Sequence, residues 1–123
     1  MPSDKKLLGD FGEDAVCRWM RRHGYRIEER NFSCRLGEVD IIARKGDYIV
    51  FTEVKLRKNA NHGQAREFVT PAKQRRIILA AELWLTQHVR WLQPRFDVAE
   101  VYAPEGLDTK NPEIIYIKDA FQL

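Results

Sequence analysis

Apolar residues recur at helical spacing between Asp4 and His23. Leu7, Leu8, Phe11, Ala15, Val16, Trp19 and Met20 fall on one stripe of a 3.6-residue turn. Gly24 follows as a stop, because only glycine takes a left-handed cap at little cost. The period then changes. Residues 25–32 read as a short strand, and residues 37–44 and 48–57 as two more, either side of Gly46–Asp47. Residues 58–69 carry no pattern, and a loop of that length in a compact domain is often functional. Thr70 and Pro71 then open a second helix, by side-chain capping and by a preset φ, that runs to about His88. Its apolar face is Ile77, Ile78, Ala81, Trp84 and Leu85. Strands at about 95–102 and 113–118 complete the chain, separated by the loop "APEGLDTKNP". The order αβββαββ predicts an α/β fold with a mixed sheet and few helices.

The most strand-like stretch, "GEVDIIARKGDYIVFTEVKLRK", contains charges that an apolar interior excludes unless they are paired, hydrated or metal-bound. Side chains alternate faces along a strand, so Glu53, Lys55 and Arg57 share one face, as do Glu38 and Asp40. Gly-X suits a two-residue type II′ turn, and Gly46–Asp47 then pairs Lys45 with Tyr48. That register sets Asp40 opposite Glu53 and Glu38 opposite Lys55. A three-residue turn would instead put the two acids on opposite faces. Facing carboxylates with β-carbons about 5 Å apart repel. A divalent cation between them converts the repulsion into binding, and magnesium takes a few carboxylates together with water and phosphate oxygens. Lys55, one pleat away, is placed to stabilise negative charge building on a phosphate. The bland alternative is the polar face of an ordinary hairpin.

Composition narrows the classes. The 123 residues suit one domain, 1–123, with one core, and 44% hydrophobic against 32% charged residues describes a folded, soluble chain. No apolar run is long enough to span a bilayer, so no membrane partner is expected. The N-terminus lacks the apolar core of an export signal. Cys17 and Cys34 form no C-x-x-C, so reduced thiols in the cytoplasm are expected. Net charge is +3, unevenly spread: residues 1–96 hold 19 of the 21 basic groups and 12 of the 18 acids. A basic body rich in arginine is compatible with phosphate binding, although a solvated surface has the same composition.

The stretches "GEVDIIAR" and "FTEVKLR", with "GE" in the first helix and "TPAKQRR" after the loop, resemble the YraN family of small bacterial proteins. That family lies in the PD-(D/E)XK nuclease superfamily and is similar to archaeal Holliday-junction resolvases. The resemblance covers residues from about 9 to 102. It implies a restriction-endonuclease-like mixed sheet with an αβββαβ core flanked by two helices. It implies that Asp40 and Glu53 are metal ligands for Mg2+ or Mn2+. The backbone carbonyl of Val54 would complete the metal shell, and Lys55 would position or activate the attacking water. Glu13 matches the first-helix glutamate that assists metal binding in resolvase-like members. Val39 stands where the superfamily has a proline. The implied partner is branched or otherwise structured DNA, and the implied assembly is a homodimer, because a four-way junction presents two equivalent strands.

Glu13 sits at the edge of the first helix's apolar stripe, where an ordinary surface glutamate is an equal alternative. Glu38 is expected to pair with Lys55. Lys73, Arg75 and Arg76 crowd the start of the second helix, where the macrodipole disfavours cations and free N–H groups favour an anion, so a phosphate contact is expected there. Arg57 and Lys58, at the end of the catalytic strand, extend that basic track. Gln74 either closes the apolar face or reaches the site. His23, His62 and His88 lack ligand spacing, which argues against zinc. Trp19 and Trp84 fit the core, while Trp91 fits a core or a base-stacking role. Two rival readings stay open: a DNA-binding module without catalysis, and a protein-interaction domain whose acidic segment from Asp97 to Asp119 meets a basic partner.

Overall fold

A computed structural model describes residues 3–58, 69–88 and 91–122. Helix α1 spans Asp4–Arg22, capped by the Ser3 hydroxyl, which accepts from the Lys6 amide at 3.1 Å. Three strands follow, β1 (Arg26–Cys34), β2 (Gly37–Lys45) and β3 (Tyr48–Arg57). Helix α2 (Pro71–Gln87) begins as expected, with Pro71 in its first turn and Thr70 accepting from the Lys73 amide at 3.2 Å. Strands β4 (Gln93–Tyr102) and β5 (Glu113–Phe121) complete the fold, joined through a short 3-10 turn at Gly106–Asp108.

The strands form one mixed sheet in the order β1-β2-β3-β4-β5. Only β3 and β4 run parallel, because only they are joined by a helical crossover. Alternation along the central strands gives the sheet two apolar faces. Ile41, Ala43, Val50, Ala99 and Val101 pack against Ala15, Val16, Cys17 and Met20 of α1. Ile42, Ile49, Phe51, Phe96 and Val98 pack against Ile77, Ala80, Ala81 and Trp84 of α2. This α/β arrangement, a five-stranded mixed sheet between two helices, is consistent with a restriction-endonuclease-like fold.

The boundaries moved where a partner element supplies what the local pattern lacks. Strand β1 runs to Cys34, beyond the predicted residue 32, because Ser33 and Cys34 pair with Glu38 and Gly37. Strand β4 starts at Gln93, two residues early, held by the bond from the Gln93 amide to the Asp47 carbonyl. Strand β5 extends past residue 118 through Asp119, whose φ of 52° is compensated by its amide donating to buried Asp97 at 2.9 Å. Residues 59–68, including His62, lie outside the described residues. Among the described residues no helix is long and apolar enough to cross a membrane. Trp19 and Trp84 take core positions: Trp84 is buried, and Trp19 stacks between His23 and Tyr116. Trp91 is 95% exposed and belongs to neither layer.

Candidate metal and phosphate site

The Gly46–Asp47 turn sets the register. Gly46 takes φ +56°, and pairing runs from Lys45↔Tyr48 to Ile41↔Thr52. There the β2–β3 ladder stops, one pair short of placing Asp40 opposite Glu53 in the sheet. Beyond this point β2 keeps its pairing with β1, and β3 keeps its pairing with β4. The sheet forks, and Asp40 and Glu53 flank the notch. Instead of a backbone bond, the Asp40 carboxylate accepts from the Val54 amide at 2.8 Å.

Two carboxylates meet in this notch. Glu53 is buried, and the Asp40 carboxyl lies near enough to feel its charge. Burial first, then the charge of Glu53, pushes the Asp40 pKa up to about 7, against the Val54 amide and Lys73, which pull it down. Asp40 therefore keeps its proton to a higher pH than a solvated aspartate does. Two lysines balance Glu53: Lys73 Nζ lies 3.4 Å and Lys55 Nζ 3.8 Å from its Oε2. The expected Glu38–Lys55 pair is replaced, since the ladder that would have brought them together has ended. Glu38 instead lies 4.0 Å from Lys73.

Glu13 lines the same cavity as Asp40, a space of about 320 Å³ between α1 and the fork. It is buried, which raises its pKa, and its Oε1 accepts from Arg30 Nε at 2.8 Å and from Asn31 Nδ2 at 2.9 Å. Among the described residues no three His, Cys, Asp or Glu side chains converge as a metal cluster. The local donor set is thus two carboxylates with the Val54 backbone beside them. That set suits magnesium, which binds one or two carboxylates and keeps several waters, and it does not suit zinc.

The basic track divides. Lys73 turns into the site, whereas Arg75, Arg76 and Lys58 are exposed and Arg57 is half-buried. Gln74 donates to the Val69 carbonyl at 2.9 Å and so braces the start of α2. Two buried acids escaped the sequence reading. Asp97 holds Arg95, the Tyr116 hydroxyl and the Asp119 amide, and Glu100 accepts from Tyr102 at 2.6 Å. Their signal was an acid inside the apolar run "RFDVAEVY". Burying both removes them from the acidic surface that a basic protein partner would need.

Comparison with known sequences agrees with the motifs. The model for Uncharacterised protein family UPF0102 matches residues 12–101. A UPF0102 protein of Geotalea daltonii is 46% identical over 122 residues, 98% of this chain and 94% of its own length. Relatives from Rhodococcus opacus and Clostridium perfringens are 44% and 42% identical, covering 93% and 100% of this chain and 95% and 100% of their own. A match that includes the first-helix Glu13, both strands of the fork and the start of α2 leads to one conclusion: this protein belongs to the UPF0102 family, the YraN family its strand motifs resemble.

Proposed function

We propose that the protein is a metal-dependent endonuclease that hydrolyses phosphodiester bonds in branched or otherwise structured DNA. The observation that carries this reading is the pair of neighbouring carboxylates at the fork, Asp40 and Glu53, with Lys55 and Lys73 beside Glu53. Two adjacent buried acids are costly unless they are protonated, paired with cations or bound to a metal.

Asp40 and Glu53 would hold Mg2+ or Mn2+, with the Val54 carbonyl as a further donor. Bound there, the ion supplies Lewis-acid chemistry, lowering the pKa of water and neutralising charge on the phosphate. Lys55 contributes a positive charge that matters most as negative charge accumulates on the phosphate in the transition state. Lys73 neutralises Glu53 when no other cation is present and is placed to turn toward a substrate phosphate. Glu13 shapes the α1 wall of the cavity, with Arg30 and Asn31 fixing its orientation. Arg75, Arg76, Arg57 and Lys58 supply backbone contacts along the approach. Work at a symmetric junction would need two copies of the chain.

The test is cleavage of junction, flap, single-stranded and duplex DNA with magnesium or manganese, with thermal melts alongside. The parent should cut at least one substrate and be stabilised by the metal. Asp40→Asn should lose both properties. Lys55→Ala should keep the metal response and lose turnover by about 10²-fold or more. A parent that cuts none of these substrates and melts identically with and without metal is not a nuclease. DNA binding without cleavage would then make it a binding module.

A further inference from the structure

A second pocket, lined by two arginines, lies across α1 from the acidic Asp40 cavity. It encloses about 300 Å³, bounded by Ala15, Arg18 and Arg22 of α1 and by Asn111, Pro112 and Ile114 where the chain enters β5. That volume is at the small end of ligand sites. Arg18 and Arg22 stand one turn apart, about 6 Å along the axis, so like charges converge on one hollow. The acid one turn before Arg18 is Asp14, which is engaged by Arg30 Nη2 at 2.7 Å. The next basic residue in the series, Arg26, has its own contact with Glu28 at 3.9 Å. Among the described residues no carboxylate comes within ion-pair distance of Arg18 or Arg22. The helix dipole accounts for a cation at Arg22, in the last turn, but its effect fades by Arg18.

We propose that Arg18 and Arg22, facing Asn111, form a phosphate-binding site distinct from the fork. Two guanidinium groups present planar donor pairs that match the oxygens of a phosphate, and the Asn111 amide offers a further donor from the opposite wall. Ala15, Pro112 and Ile114 complete a wall whose exposed surface is mainly polar. The phosphate assignment stands on the arginine pair alone. Its membership of a polynucleotide rests on the function proposed above, and then a strand reaching both sites must pass over α1, because the two hollows lie on opposite flanks of that helix.

The probe is inorganic phosphate, titrated into the isotope-labelled full chain at constant ionic strength while the Arg Nε–H and Asn111 amide resonances are followed. Saturable shifts are expected, and they should vanish in R18A/R22A. All the altered side chains are exposed, so this variant should melt like the parent. R18K/R22K keeps the charge without the planar fork and should bind several-fold more weakly. A DNA arm measures affinity against salt: loss of both arginines should reduce the log–log slope by about 1.4–1.8 if the site holds backbone phosphates. Saturable phosphate binding with an unchanged DNA slope identifies a free phosphorylated ligand, and the site still stands. Shifts that are linear, or identical in R18A/R22A, overturn it. Cleavage by a protein without this phosphate response would sink the pocket alone. Saturable phosphate binding by a protein that neither cuts nor binds DNA would sink the nuclease alone.

Discussion

Asp40 lies beside a second carboxylate, and burial together with Glu53 holds its pKa near 7. A carboxyl whose pKa is higher in the folded chain than in the unfolded one contributes its full stability below pH 4. It loses that contribution as the pH climbs through 7. Asp40→Asn removes the titration while its amide can still accept from the Val54 N–H and donate to Glu53. The variant should therefore gain on the parent as pH rises, by up to about 4 kcal/mol above pH 7 without metal. Denaturant melts at pH 4, 6 and 8 measure the difference, and a gap that ignores pH would mean that the two acids are not coupled. The register that brings these acids toward each other was legible from the Gly46–Asp47 turn, because a two-residue loop dictates register, although the ladder ends one pair before them. The inward turn of Lys73 was not. It depends on how deeply α2 settles on the sheet, and local spacing carries no record of that depth.

How far α2 settles is decided by an element contact. Gly37, at the start of β2, lies so close to the helix that an added Cβ would run into the Arg76 carbonyl. Gly37→Ala should push α2 outward, cost about 2–4 kcal/mol, and draw Lys73 away from Glu53. A thermal melt measures the first effect. An otherwise matched variant that melts like the parent would show that the helix tolerates the shift. The helices and the β2–β3 hairpin were legible because periodicity, caps and turn chemistry agree over long stretches. The ends of β1, β4 and β5 were not, because they are recruited by neighbouring strands and by the buried Asp97, whose bonds to Tyr116 and Asp119 join residues far apart in the chain. The fork was equally hidden: it exists because Asp40 takes the Val54 amide that the ladder would otherwise use.

Across the whole molecule, one sheet serves two apolar layers, and the same strands feed both. Ile41 and Val50 face α1 while their neighbours Ile42 and Phe51 face α2. Neither layer can be lost without stripping the other, so unfolding should be a single cooperative transition. Trp19 reports on the α1 layer and Trp84 on the α2 layer. Single-tryptophan variants, with Trp91→Phe in both, should give coincident fluorescence transitions that overlay the circular-dichroism curve. Separated midpoints would reveal layers that melt independently. The fork adds a mechanical property to this cooperative body. Strands β3 and β4 are laced together along their full length, from Tyr48 to Arg57, whereas β2 and β3 are laced only from the turn to Ile41 and Thr52. Past Ile41 and Thr52 the β2–β3 seam is held by the Asp40–Val54 bond rather than by a ladder, and it should be the most compliant line in the sheet. Because Asp40 lies on one side of that line and Glu53 on the other, the opening of the seam sets the gap between the two acids.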